Sequence, residues 1–136
     1  MNLIEGMLED FRQARVVFLT TYNKEGKEST RQMTNFNENP YDIVWFPTDR
    51  NTRKVKDIQE NPKVLLTFPS SKENEFYEIE GTASLADQAT VSARWRWWYL
   101  YWHPAQRNRF WFPPDRYTEN RAILRISPTF ARTVKR

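Results

Sequence analysis

The chain has 136 residues, a length at which one domain with a modest hydrophobic core is expected, so we treat residues 1–136 as a single domain. It contains no cysteine, which excludes disulfides, a thiolate nucleophile and Cys-ligated zinc. The net charge of +4 is uneven: residues 1–90 hold 11 Lys/Arg against 15 Asp/Glu, and residues 91–136 hold 10 against 2, which indicates an anionic partner for the basic part.

Short strands alternate with three helices in the predicted secondary structure. Asn2 can cap a first helix whose apolar residues recur every three or four positions, and Gly26 supplies the positive φ of a hairpin turn. Asn51 can cap a short second helix and Asp87 a long third one, which His103-Pro104 ends. The predicted strands cover residues 16–21, 28–36, 42–48, 64–68, 75–85 and 121–126, and the long helix covers about 88–102. Within 75–85, Phe76, Glu78 and Glu80 alternate with Tyr77, Ile79 and Gly81, as in a half-exposed strand. This pattern favours a small antiparallel β-barrel with added helices.

The N-terminal segment does not have the character of a targeting signal. It carries Glu5, Glu9 and Asp10, whereas a signal peptide needs a basic start followed by an apolar run. No stretch approaches the roughly 18 apolar residues that a membrane-spanning helix needs. We therefore expect a cytoplasmic protein that does not enter a membrane.

The glycine and histidine counts exclude several common sites. Glycines stand only at positions 6, 26 and 81, so neither a GxGxxG fingerprint nor a Walker-type phosphate loop can be assembled. His103 is the only histidine, which excludes a multi-His metal site, and we do not expect it to serve in a Ser-His-Asp triad. Rossmann and P-loop nucleotide binding are therefore excluded.

Three cations suggest a different kind of anion site. Arg53 and Lys54 occupy the first turn of the predicted second helix, and Arg31 lies on the second strand. Cations are unfavourable at a helix N-terminus, where the dipole is positive and the N–H groups lack partners. A phosphate would accept from those N–H groups, a Thr hydroxyl and both side chains. The pattern indicates such a site, with a solvated Arg–Lys pair as the alternative.

An ordered series of short motifs spans roughly residues 14 to 130. The motifs are Arg31-Gln32-Met33, Trp45-Phe46-Pro47-Thr48, Thr52-Arg53-Lys54-Val55, Asp57-Ile58, Asn61-Pro62-Lys63-Val64, Glu80-Gly81-Thr82-Ala83, Phe110-Trp111-Phe112-Pro113 and residues 123–128. In this order they resemble the FMN-binding split-barrel family, which includes pyridoxamine 5'-phosphate oxidase and the general stress protein flavoproteins. The resemblance implies a mainly β fold with helices, a split β-barrel of antiparallel Greek-key type, assembled as a homodimer with FMN in a groove at the subunit interface.

The same resemblance implies a set of FMN-binding residues. Arg53 and Lys54 would hold the phosphate with Arg31 nearby, the backbone of residues 32–34 would line the ring edge, and Tyr77 would lie near the ring. The full implied set is Arg31, Gln32, Met33, Thr34, Phe46, Pro47, Thr48, Thr52, Arg53, Lys54 and Tyr77.

The resemblance further implies a flavin-dependent oxidoreductase that acts on an unidentified small molecule. The oxidase proper carries an Arg-x-His near its C-terminus that grips the vitamin substrate, and residues 130–136 contain no such element. We therefore do not expect pyridoxamine phosphate oxidation. The alternatives are a non-catalytic flavin-binding stress or sensor protein and a split barrel that binds deazaflavin or haem.

The third helix is unusually rich in aromatic residues. One face carries a stripe typical of a core, and a second face indicates a dimer interface or a pocket lid, unless all the aromatics are core. Arginines interleave with them, as in platforms for single-stranded nucleic acid. We do not expect nucleic acid as the partner, because these aromatics cluster on a helix and not along strand faces. The stripe is Val91, Trp95, Trp98 and Trp102; the second face holds Trp97 and Tyr101; the arginines are Arg94, Arg96, Arg107 and Arg109.

Overall fold

The computed structural model describes residues 1–101 and 121–135, with side chains described for all of these except residues 95–101. This part of the chain forms three helices and six strands. The helices are α1 (Met7–Gln13), α2 (Arg53–Glu60) and α3 (Gln88–Tyr101). The strands are β1 (Val16–Tyr22), β2 (Glu28–Thr34), β3 (Val44–Asp49), β4 (Lys63–Pro69), β5 (Glu75–Leu85) and β6 (Arg121–Lys135).

The six strands form one antiparallel sheet in the order β2-β1-β4-β5-β6-β3. The sheet curls into a half-barrel, and the segment after β2 is bonded to β3. Trp45 N–H donates to Asn37 Oδ1 (2.8 Å), and Asn37 Nδ2 donates to the Trp45 carbonyl (2.9 Å), so one amide side chain pairs with the strand backbone. The predicted mainly β, antiparallel class is confirmed.

The core lies inside the curl, because alternate residues of each strand point inward. In β5 the buried positions are Tyr77, Ile79, Gly81 and Ala83, which confirms the alternation predicted for residues 75–85. Helix α1 covers the interior on one side, where the Phe11 ring meets the Phe68 ring edge-on at a centroid distance of 5.1 Å.

The predicted start of the first helix is wrong. Helix α1 begins at Met7 after Gly6, whose φ of 84° is left-handed, and Asn2 does not cap it. Instead, Asn2 Nδ2 donates to the Ala131 carbonyl (2.7 Å) and the Ala131 N–H donates to Asn2 Oδ1 (2.9 Å). The local capping preference of Asn is overridden by pairing with a strand distant in sequence.

Strand β6 is longer than predicted and contains an irregularity. It continues past residue 126 to Lys135 along β5, with a register shift between Glu80 and Gly81. A Cβ at position 81 would lie 3.0 Å from both Ile126 Cγ2 and the Ser127 carbonyl oxygen. Glycine therefore allows β5 and β6 to approach closely here.

The predicted helix caps have different outcomes. Asp87 does cap α3, since its Oδ1 accepts the Thr90 N–H at 2.7 Å. The expectation for Asn51 is wrong, because Thr52 holds the N-cap position of α2. Val91 is buried, as predicted for the aromatic stripe. The other aromatic side chains of the stripe, the closing His103-Pro104 and the 110–113 motif lie outside the described residues.

Candidate functional site

Arg31 lies opposite Leu19 in the β1–β2 ladder, and its side chain is held by two hydroxyls. Its Nη1 donates to Thr21 Oγ1 and its Nη2 donates to Ser29 Oγ, both at 3.0 Å. Burial lowers the pKa of Arg31, Asp57 opposes that shift, and Arg53 adds to it. The guanidinium is therefore fixed in a partly desolvated position near a second cation.

Arg53 and Lys54 form the first turn of α2, where no side chain caps the backbone N–H groups. The Thr52 hydroxyl instead donates backwards to the Asp49 carbonyl at 2.9 Å. Lys54 is half-buried, and burial lowers its pKa below the ordinary 10.5; Arg31 lowers it further and Asp49 opposes. Arg53 lowers the pKa of Arg31, and Arg31 lowers the pKa of Lys54, so the three cations are close enough to interact. We call Arg31, Arg53 and Lys54 the cation cluster.

The cation cluster has no direct counter-ion in the described part of the chain. No described carboxylate approaches Arg31, Arg53 or Lys54 within the 4.0 Å of an ion pair. Taking a cation out of water without a partner is costly, and cations at a helix N-terminus also oppose the dipole. Both costs are offset when an anion binds, so the arrangement is suited to an anionic ligand.

Thr48 adds an unsatisfied polar atom. It lies on β3, paired with Ala122, shortly before α2 begins. Its Oγ1 is buried and has no hydrogen-bond partner among the described residues, which is costly for a hydroxyl. Its unused hydrogen-bonding capacity is compatible with the cofactor contact expected for Thr48, which stays a prediction.

The expected ring-contacting residues are more dispersed. Met33 and Phe46 are buried in the core and belong to strand ladders, so their side chains do not face a ligand at the surface. Gln32 is exposed and Thr34 half-buried on β2, and Pro47 is half-buried on β3. None of these side chains shares a hydrogen bond with the cation cluster in the described structure.

Tyr77 has a partner elsewhere. It is 3 % exposed, and its hydroxyl donates to Asp10 Oδ2 on α1 at 2.7 Å. Burial and this hydrogen bond raise the pKa of Tyr77 to about 12. The side chain ties α1 to β5, apart from the contacts of the cation cluster.

Thr21, Ser29 and Asp57 belong to the site and were missed as functional residues. Asp57 follows Lys54 by three positions on α2, a spacing that places both near one helix face and could have drawn attention to it. Ser29 and Arg31 are two apart on one strand face. Thr21 had no such signal, because its contact depends on the β1–β2 register.

Arg94 belongs to the aromatic helix α3, and its side chain is described by the structure. Its guanidinium carbon stacks 3.7 Å from the centre of the Trp45 ring, and that of Arg125 lies 5.8 Å from the same centre. Burial lowers the pKa of Arg94, and Asp42 opposes the shift. This stack attaches α3 to β3. The side chains of Arg96, Arg107 and Arg109, on which the nucleic-acid alternative also rested, lie outside the described residues.

Within residues 1–101 and 121–135, no three described His, Cys, Asp or Glu side chains come together as a metal site. No helix in the same ranges has the length and apolar character to cross a membrane.

Known proteins match this architecture and sequence. The profile of the "Pyridoxamine 5'-phosphate oxidase like" family matches residues 2–132, so the chain belongs to that family. Solved relatives include general stress protein 26 from Bacillus anthracis, at 22% identity and TM-score 0.70 over 96% of this chain and 92% of that one. No curated protein resembles the chain closely enough in sequence to count as a match.

Two other structures share the fold with different cofactors in their names. A pyridoxamine 5'-phosphate oxidase-related, FMN-binding protein from Nostoc punctiforme has 17% identity and TM-score 0.68, covering 99% of this chain and 87% of that one. An F420 reductase has 17% identity and TM-score 0.71, covering 96% and 98%. At such identities the likeness establishes the fold alone.

Proposed function

We propose that this protein binds FMN through the cation cluster and acts as a flavin-dependent oxidoreductase. The observation that carries the proposal is the convergence of Arg31, Arg53 and Lys54 with no described carboxylate in ion-pair contact. The FMN-binding relative and the family membership support the choice of ligand.

The residues present fit a phosphomonoester. Such a group carries about −1.5 to −2 charges at neutral pH and offers three acceptor oxygens. Lys54 and the two arginines supply charged donors, and the uncapped start of α2 supplies backbone N–H groups. The Thr48 hydroxyl, which has no partner among the described residues, would be a further donor. The phosphate would thus offset the main electrostatic costs of the site.

When bound, FMN supplies hydride or electron exchange at its ring. The protein's own residues bind the phosphate, place the ring and provide positive potential. We assign no described side chain of the site as an acid or base for the substrate, which remains an unidentified small molecule. Because the chain lacks the Arg-x-His element, pyridoxamine phosphate is not the substrate that we propose.

We further propose a homodimer in which the second subunit completes the flavin groove. The proposal is tested by sedimentation of the FMN-loaded protein at low micromolar concentration. A dimer supports the shared groove, and a stable FMN-loaded monomer contradicts it.

A deazaflavin cofactor is the second candidate, because the F420 reductase has the same fold at TM-score 0.71. Parallel titrations of the purified protein with FMN and with F420 separate the two. Tighter binding of FMN supports the first proposal, and binding of F420 alone replaces it.

The anchor itself is tested with a charge-removal pair. We expect Arg53→Ala/Lys54→Ala to lose FMN retention while circular dichroism still reports the fold. The matched control is Lys24→Ala/Lys56→Ala, which removes two exposed charges away from these contacts. Wild-type protein that takes up no FMN refutes the function, and equal retention by both double variants refutes the anchor.

A further inference from the structure

A buried polar chain lies behind the cation cluster. Thr21 on β1 is fully buried, and Asp57 on α2 is 4% exposed. Arg31 Nη1 donates to Thr21 Oγ1 at 3.0 Å, and Thr21 Oγ1 donates to Asp57 Oδ2 at 2.9 Å. Three elements, β2, β1 and α2, are thereby joined through one hydroxyl.

The direction of these hydrogen bonds is determined by chemistry. An ionised carboxylate only accepts, a guanidinium only donates, and a hydroxyl has one proton. Because Thr21 gives its proton to Asp57, its lone pairs face Arg31. Ser29 accepts from Nη2, so the guanidinium is held at two of its nitrogens. Of its five N–H donors, the remaining three make no hydrogen bond to the described residues.

Asp57 acts on Arg31 without neutralising it in a direct ion pair. The two side chains do not approach within 4.0 Å, and their attraction passes across the Thr21 hydroxyl. A direct bidentate pair would occupy the donor edge of the guanidinium. The inserted hydroxyl restrains the side chain while accepting only one of its N–H groups.

We propose that Thr21 and Asp57 are positioning residues, which hold the Arg31 guanidinium in the orientation that binds the ligand phosphate. This inference rests on the proposed FMN function. A side chain ordered before binding loses less conformational entropy when the ligand arrives, so the gain is specific to the phosphate. Ordering Arg31 in this way does not change the binding of the flavin ring.

The experiment compares FMN with riboflavin, which lacks the phosphate. Thr21→Val removes the hydroxyl and keeps the shape of the side chain. We expect the preference for FMN over riboflavin to fall by up to about tenfold, the effect of losing one typical hydrogen bond within the protein. Riboflavin affinity should stay unchanged, and Thr21→Ser should restore the preference.

The matched control is Thr20→Val. Thr20 is 5% exposed on the same strand, and its hydroxyl shares a 2.7 Å hydrogen bond with Thr30 and not with Arg31. This variant also loses a hydrogen bond of a buried hydroxyl, so a general destabilisation of β1 would affect Thr20→Val and Thr21→Val alike. We expect its FMN preference to equal that of the wild type. Thr21→Ala serves as a second variant with the same prediction as Thr21→Val.

A double-mutant cycle isolates the route. In an Arg31→Ala background, Thr21→Val should change the FMN preference no further, because its partner is gone. An unchanged preference in Thr21→Val, or equal losses for FMN and riboflavin, overturns the positioning role and leaves the anchor standing. A wild-type protein that binds riboflavin as tightly as FMN overturns the phosphate anchor, and this inference with it.

Discussion

Replacing Lys54 by Met is the sharpest test of the cation cluster. Met keeps most of the length and apolar stem of a half-buried lysine and removes its charge and N–H donors. A hydrogen bond to a charged group contributes about 1.5–3 kcal/mol. The dissociation constant for FMN should therefore rise about 10- to 150-fold, since 1.4 kcal/mol corresponds to a factor of ten.

The pH dependence has a definite sign. Burial and Arg31 lower the pKa of Lys54 below 10.5, so in the ligand-free protein Lys54 loses its proton before an unfolded lysine does. FMN affinity should fall as pH rises through that lowered pKa, and Lys54→Met should lack this step. Between the lowered pKa and 10.5 the unfolded chain binds more protons, so the stability of the ligand-free protein rises with pH there. Below that window Lys54→Met should melt at or above the wild-type temperature.

The assay is fluorescence quenching of FMN and of riboflavin over a pH series, together with melting curves without ligand. Lys56→Met is the control, because Lys56 is exposed on the same helix and loses the same charge. If the two variants weaken FMN equally, long-range charge accounts for binding and the specific contact is refuted. Wild-type affinity in Lys54→Met refutes the contact outright.

Three further predictions concern the scaffold. Tyr77→Phe should lower the free energy of unfolding, measured by urea titration, by about 1–3 kcal/mol through loss of its hydrogen bond. Because the folded pKa of Tyr77 is raised to about 12, the free energy of unfolding of the wild type should also fall between pH 10 and 12, and that of the variant should fall less. Gly81→Ala should cost about 1–3 kcal/mol, because the new Cβ meets Ile126 at 3.0 Å; unchanged urea midpoints would contradict this packing. Arg94→Ala should lower the free energy of unfolding by about 0.5–2 kcal/mol, because it removes the stack on Trp45. Calorimetry measures this change, and an unchanged free energy would show that the stack does not stabilise the fold.

The features that were predicted correctly depend on residues close together in the chain. The alternation in β5 predicted its bounds and inward face correctly, since a strand with one buried face imposes a period of two on its own residues. The capping of α3 by Asp87 was also predicted, because a cap and its N–H partner are neighbours in the chain. Asn2 failed for the opposite reason, since its amide pairs with β6, which no local pattern foretells.

The cation cluster also combines contacts that are local in the chain with contacts that only the tertiary structure makes. By itself the sequence determined that Arg53 and Lys54 open α2 against the helix dipole, because residues of one turn are adjacent whatever the fold. Only the tertiary structure decided that Arg31 joins them, and that Thr21 and Asp57 hold it there. Those contacts depend on strand register and on the packing of α2 against the sheet, and a shift of one residue in register would turn Arg31 to the other face.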